Sequence, residues 1–295
     1  GPDLPLVQAI DKAGLSVDAA LYSLTLYSVR RALIRAHRRG VRVRLVMESD
    51  NMDLSGPQAL REAGIPVIGD RREGLMHDKF VIIDRSEVWT GTMNATTAST
   101  YEDRNALLRL RSKSVAADYE AEFEEMFLHD HFGPDVSDPT PEPRLTIEGV
   151  SLEVYFSPDD RPEAILADVL MGAHKILYFL AYSFTSDPLG AAIRQRAGAG
   201  VVVAGVMDAG QAKTNIGSEY DRFRSAGLDV RLDGEPGLMH DKVLIVDGET
   251  VVVGSYNFTA SAAKHNDENL LILHSPQIAG QFLREFRRIQ AAAAP

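Results

Sequence analysis

Two stretches of the chain carry the same chemically capable residues at the same spacing. The first reads His77-Asp78-Lys79, then Asp84, then Gly91-Thr92-Met93-Asn94; the second reads His240-Asp241-Lys242, then Asp247, then Gly254-Ser255-Tyr256-Asn257. Both fit His-x-Lys-x4-Asp-x6-Gly-[Ser/Thr]-x-Asn without a gap. Six specified positions arise by chance on the order of 10⁻⁷ per start point, so finding the pattern twice is a strong signal where a lone short motif would be weak. On a strand, residues two apart share a face, which sets each imidazole beside an ammonium and each hydroxyl beside an amide. Two such sets brought together would gather two imidazoles, two lysines, two amides and two hydroxyls around one point, a site for a tetrahedral oxyanion. Lysines and amides are donors for non-bridging phosphoryl oxygens. Two imidazoles on opposite sides can work in line, one attacking phosphorus and the other protonating the departing oxygen. The lysines supply the countercharge, so no metal and no cofactor is called for.

The elements that must position these residues alternate in type. Short β-rich runs (Val41 to Met47, Phe80 to Ile83, Val201 to Met207, Val243 to Val246) are separated by helical-period stretches such as Val29 to Ala36 and Phe282 to Ile289, which predicts an α/β sandwich in each half. Asp84 and Asp247 fall where a strand turns, and are expected to bond loop amides as structural members of the motif, with Gly91 and Gly254. Asp78 and Asp241 alternate away from the His/Lys face.

The motifs sit inside a longer repeat. Tyr22-Ser23-Leu24-Thr25 returns as Tyr182-Ser183-Phe184-Thr185, and Gly40-Val41 as Gly200-Val201, at an offset of 160; Gly64 and His77 return as Gly227 and His240 at an offset of 163. Three residues have therefore entered the second copy, with the loop Asp208 to Ser218 as the expected place. Between the copies, Gly133 to Pro143 holds four prolines, which predicts an extended, exposed linker. The expected layout is a first repeat over residues 3–131, a linker over 132–150 and a second repeat over 151–295. Leu152 to Phe156 is an extra strand-like segment without a counterpart in the first copy. Either the chain begins just inside its first repeat, which is the expectation, or the first half lacks this strand.

These residues resemble the paired HKD motifs of the phospholipase D superfamily, and the resemblance covers essentially the whole chain. It implies two pseudo-symmetric α/β/α sandwich halves with mixed sheets packed face to face around one central site. It also implies a two-step reaction through a covalent phosphohistidine, with water or an alcohol as second acceptor. In two-motif members the first histidine is usually the nucleophile, which assigns that role to His77 and general acid/base work to His240. Lys79, Asn94, Lys242 and Asn257 complete the catalytic set, and the same four with Thr92 and Ser255 are the expected phosphate ligands. The family places an acidic side chain after the second-strand asparagine, hydrogen-bonded to a catalytic imidazole; Glu268 fits. Aligning Asn105 with Asn269 puts Arg104 opposite Glu268, a departure from the pattern. Asp103 or Glu102 substitutes there, or the two histidines differ in basicity.

Composition limits the rest. The 295 residues include no cysteine, which excludes thiol nucleophiles and disulfides, and the apolar runs are too short to span a membrane. Thirty-one basic against 42 acidic residues give a net charge of −11 and a sequence pI of about 5.2, which argues against broad coating of nucleic acid or anionic lipid. The opening Gly1-Pro2 looks like a protease-cleavage scar, so localisation is not readable: the chain reads as soluble, and export in a bacterium is compatible with a signal peptide lost before residue 3. Blander readings are expected for other residues. His129-x-His131 ends a helix, Arg30, Arg31, Arg35, Arg38 and Arg39 form a solvated helix face, and Trp89 packs in the core. Lys213, Thr214 and Asn215 are candidates for the cleft. The compact two-repeat chain points to a monomeric, metal-independent phosphodiesterase acting on single-stranded nucleic acid. A phospholipase or phosphatidyltransferase acting on phospholipid head groups is the alternative, and a binding module without turnover the third reading.

Overall fold

In a computed structural model, described over residues 1–135 and 139–293, the repeat becomes two sheets with matching order. The first half runs α1 (Leu4–Lys12), β1 (Ser16–Leu21), α2 (Tyr27–Arg38), β2 (Arg42–Met47), α3 (Ser55–Glu62), β3 (Val67–Gly69), β4 (Lys79–Ile83), β5 (Glu87–Gly91), α4 (Thr97–Tyr101), β6 (Leu107–Arg111) and α5 (Lys113–His129). The second runs β7 (Arg144–Ile147), β8 (Val150–Ser157), α6 (Pro162–Met171), β9 (Ile176–Ala181), α7 (Asp187–Gly198), β10 (Val202–Met207), α8 (Ala209–Thr214), α9 (Tyr220–Ser225), β11 (Asp229–Leu232), β12 (Lys242–Val246), β13 (Thr250–Gly254), α10 (Ala260–Lys264), β14 (Glu268–His274) and α11 (Pro276–Ala292). Sheet orders are β3-β2-β1-β4-β5-β6 and β11-β10-β9-β12-β13-β14-β8-β7. β1 and β2 pair in parallel, and β4 joins β1 antiparallel with Leu21 opposite Lys79. β9, β10 and β12 repeat this with Ala181 opposite Lys242.

Alternation along the strands sorts side chains into three cores. Val17, Ala19, Val81 and Ile83 pack under α1, α2 and α3, while Leu177, Phe179, Leu244 and Val246 pack under α6, α7 and α9. The opposite faces of both sheets meet in a shared core with α5 and α11, where Phe80, Ile82, Tyr119 and Phe123 join Phe156, Leu180, Val243 and Phe286. Because that core draws apolar residues from both halves, burying it also fixes how the halves face each other.

The connecting region departs from the expected exposed linker. Phe132 is buried in the shared core, residues 133–135 form a 3-10 turn, and Arg144–Ile147 is a strand that hairpins onto β8 through Glu148 and Gly149, both at positive φ. Positive φ at both turn positions matches the twist that a tight hairpin requires, and the four prolines leave that segment alone. Residues 136–138 of the expected linker lie outside the described residues. Leu152 to Phe156 is a strand as expected, extending the second sheet beyond β14. The three-residue insertion also lies where expected: the 3-10 turn at Ser49–Asn51 is replaced by α8 and the loop after it.

Candidate active site

Both motifs occupy the same end of their sheets, where the parallel strands β1, β2 and β9, β10 finish and β4 and β12 begin. Ligands commonly bind at these carboxyl ends in α/β sheets. Asp84 and Asp247 lie at the opposite end. Asp84 accepts from the amides of Gly14, Leu15 and Ser16 (2.7–3.2 Å), and Asp247 from those of His174, Lys175 and Ile176 (2.7–3.2 Å). These are amides of the chain entering β1 and β9, so each carboxylate ties the motif hairpin to the strand beside it. Gly91 has φ +147, and a Cβ there would stand 2.2 Å from the carbonyl oxygen of Ala106; at Gly254 it would stand 2.1 Å from that of Asn269. The absent side chains allow the amides of Thr92 and Ser255 to bond those carbonyls at 2.9 and 3.0 Å.

The two halves then exchange contacts. His77 N–H donates to the carbonyl of Asp267 (2.9 Å) and His240 N–H to that of Arg104 (3.1 Å). His77 Nδ1 lies 2.7 Å from Glu268 Oε2, and His240 Nδ1 lies 2.8 Å from Asn105 Oδ1. Each imidazole is therefore oriented by the other half. Asn105 Nδ2 donates to the Ser99 carbonyl (2.8 Å), which leaves its oxygen facing the ring. An amide oxygen only accepts, so His240 Nδ1 carries a hydrogen and Nε2 is the atom left for chemistry.

This placement corrects the expected alignment. β5 and β6 pair Gly91 with Leu107, and β13 and β14 pair Gly254 with Leu270, so the offset of 163 holds through this region and Asn105, not Arg104, is the counterpart of Glu268. Neither Asp103 nor Glu102 substitutes: Asp103 accepts from the amide of Leu238, and Arg104 is paired with Asp233 and Glu235. The remaining expectation, unequal histidines, is what the partners provide, a carboxylate for one ring and a neutral amide for the other.

The hydroxyls also differ from their expected role. Thr92 Oγ1 donates to Asn105 Oδ1 and accepts from the amide of Ala106 (both 2.9 Å), and Ser255 Oγ accepts from the amide of Asn269 (2.9 Å). Both residues are fully buried. They hold the groups that orient the imidazoles and are not placed as phosphate ligands. Asn94 and Asn257 reach the site half-buried, their Oδ1 atoms without a hydrogen-bond partner among the described residues. Lys79 and Lys242 Nζ donate to the carbonyls of His77 and His240 (2.6 and 2.8 Å), which leaves two N–H groups on each ammonium.

Tyr22 and Tyr182 also belong to the site, beyond the residues of the motif. Their rings lie 4.9 and 4.8 Å from those of His77 and His240, and the two lysine ammoniums stand 5.1 and 4.9 Å from the same tyrosine rings. Their signal was the repeat itself, which opens on these two tyrosines. Glu48 and Asp208, also 160 apart, accept from the amides of Met76 and Met239 just before each histidine. Of the other candidates, Asn215 donates to Ser183 (2.8 Å), the neighbour of Tyr182, while Arg35 pairs with Asp11, and Trp89 is buried with its indole N–H on Glu87.

Burial dominates the electrostatics. It pulls His77 and His240 well below the ordinary imidazole value, and both lysines pull the same way, so the rings are neutral at pH 7. Burial also lowers Lys79 to about 8 and, helped by repulsion from Lys79, Lys242 to about 7. Glu268 is pushed up to about 7 by burial against the pull of Lys79. Asp78, turned to the opposite face and bonded by Asn269 Nδ2 (2.7 Å), rises to about 7, again through burial.

The likenesses to known proteins agree with this geometry. A family model for the phospholipase D-like domain of cardiolipin synthase matches the chain twice, over residues 6–127 and 166–290. A phospholipase D of Rickettsia bellii is 29% identical over 153 residues, covering 50% of this chain and 76% of that protein. The human mitochondrial cardiolipin hydrolase is 38% identical over 124 residues, covering 42% of this chain and 49% of the hydrolase, so the chain spans about half of that relative's length. Phosphatidylserine synthase of Haemophilus influenzae, 14% identical, shares the fold over 99% of this chain and 84% of its own, with a TM-score of 0.75. With the family model matched in both halves and the paired motifs meeting in one site, the chain belongs to the phospholipase D superfamily of phosphodiesterases.

Proposed function

We propose that the chain hydrolyses phosphodiesters through a phosphohistidine on His77, with His240 as general acid and then general base, and that single-stranded nucleic acid is the substrate. The cross-half orientation of the rings carries this reading. Attack by His77 Nε2 breaks the phosphorus–oxygen bond to the leaving group and makes the ring cationic, a charge that the Glu268 carboxylate at Nδ1 stabilises. His240, neutral in the empty site, takes up a proton at Nε2 as the negative phosphodiester binds beside it; held by a neutral amide, its cation has no such stabilisation and gives that proton readily to the departing oxygen. The now neutral His240 takes a proton from water, whose oxygen attacks phosphorus and frees His77. Lys79, Lys242, Asn94 and Asn257 are the donors to the non-bridging oxygens.

For a single strand, the half-buried rings of Tyr22 and Tyr182 beside the two histidines are flat surfaces for bases, and a narrow cleft needs few phosphate contacts. That suits a chain of net charge −11. A phospholipid substrate is the second reading, favoured by the names of the relatives. Labelled single-stranded DNA and RNA and vesicles of phosphatidylcholine or cardiolipin, each incubated with and without EDTA, separate the two. Cleavage of an oligonucleotide with intact vesicles is the expected outcome. Release of choline or phosphatidate with intact oligonucleotides moves the assignment to lipid, and no product from either class overturns the hydrolase reading.

A further inference from the structure

On the far side of α5 from β1 and β2, the helix and the chain entering the second half enclose a cavity of 360 Å³, lined by Asp118, Glu122, Glu125, His129, Thr140 and Phe156 among others. Carboxylate oxygens of Glu122, Glu125 and Asp159 come within 4.8 Å of one another there. Two further observations set this cluster apart from an ordinary acidic surface. Glu122 is only 6% exposed, yet it has no hydrogen-bond or ion-pair partner among the described residues. Asp118 is 2% exposed; its Oδ1 accepts from the amide of Glu142 (3.2 Å), and its Oδ2 has no partner. No lysine or arginine lines the cavity among the described residues. Buried carboxylates are normally paired or bound to metal.

We propose that Glu122, Glu125 and Asp159, with Asp118 beside them, bind a divalent cation of calcium size that ties α5 of the first half to the loop after β8 in the second. The donors are all hard oxygens, which suit calcium or magnesium over zinc or copper. Calcium accepts several carboxylates directly, at about 2.3–2.6 Å and in flexible geometry, whereas magnesium keeps several of its waters and is held by one or two carboxylates. Glu122 and Glu125 are one helical turn apart and present one face, and Asp159 closes the site from the other half.

The test is independent of the substrate. Calcium chloride and, separately, magnesium chloride are titrated calorimetrically into the metal-stripped full chain at neutral pH, and melting is followed with each. Binding of a single calcium ion is expected, with a rise in Tm of about 5 °C at roughly a hundredfold excess over Kd. Magnesium binds more weakly. Glu122→Gln and Glu125→Gln preserve shape and are expected to weaken calcium binding by about tenfold or more while the metal-free chains still melt cooperatively. Absence of calcium binding, equal binding of magnesium, or undiminished calcium binding in the Glu122→Gln/Glu125→Gln double variant overturns the proposal.

Discussion

The two histidines are equivalent in sequence and unequal in structure, and the inequality is what can be measured. His77 meets a carboxylate and His240 an amide. His77→Ala is expected to abolish labelled phosphoenzyme. His240→Ala still accumulates it from a substrate with a good leaving group, because attack needs no proton from His240 when the leaving oxygen is a weak base. Label trapped on His240 instead reverses the roles. Glu268→Gln keeps the hydrogen-bond geometry but removes the charge, and lowers kcat roughly 10- to 100-fold, as loss of a partner that orients a catalytic ring does. The lysines set the alkaline side of the pH profile. A lysine whose value falls to about 8 or 7 loses its charge as pH rises through that range, and with it the grip on phosphate. Since His77 must be neutral to attack and its value lies well below that of a free imidazole, kcat/KM is expected to be bell-shaped, with its acid limb below the ordinary imidazole range and its alkaline limb above about 7–8. Lys242→Arg, a cation that does not titrate in this range, moves the alkaline limb upward if the lysine is its origin; an unmoved limb refutes that origin.

At the scale of elements, the motif is a hairpin pinned at both ends. Gly91→Ala pushes a Cβ against a backbone carbonyl at a φ of +147, and a loss of roughly 2–4 kcal/mol is expected, read as a fall in Tm. Asp247 works at the far end. Burial alone would raise its value, but three backbone amides lower it, so the folded state binds its proton less tightly than the unfolded chain does. Its contribution is therefore complete above the ordinary carboxylate range, about pH 4, and is lost as pH falls through the folded value. Asp247→Asn is expected to cost about 1–3 kcal/mol near neutrality and to flatten the acid side of the stability curve. Urea melts between pH 3 and 7 would show both, and an unchanged acid slope would remove Asp247 as a source of it.

For the whole molecule, the site is complete only when both halves are present. Glu268 and the Asp267 carbonyl serve His77, while Asn105 and the Arg104 carbonyl serve His240. The shared core of Phe80, Tyr119 and Phe123 with Phe156, Val243 and Phe286 holds these contacts in register. Residues 1–141 and 142–295, expressed separately, are each expected to be inactive and prone to aggregate, and to regain activity when co-expressed. Turnover by either half alone would show that one motif suffices.

The sequence by itself determined the duplicated unit, the alternation of strands and helices, the six-residue motif and its placement at strand ends, because periodicity and fixed spacing are local properties. Asp84 and Asp247 as amide acceptors were legible for the same reason. Tertiary structure decided which half orients which imidazole. Asn105 was misaligned by one residue because the repeat offers asparagines at both 105 and 269, and only the sheet register, Gly91 opposite Leu107 and Gly254 opposite Leu270, distinguishes the two alignments. The hydroxyls of Thr92 and Ser255 share a strand face with the amides, yet burial commits them to backbone and side-chain bonds. Tyr22 and Tyr182 read as repeat markers until the fold laid them beside the histidines. Spacing along a strand specifies which face a side chain takes; what waits on that face is supplied by residues more than a hundred positions away, brought there by a core that neither half can bury alone.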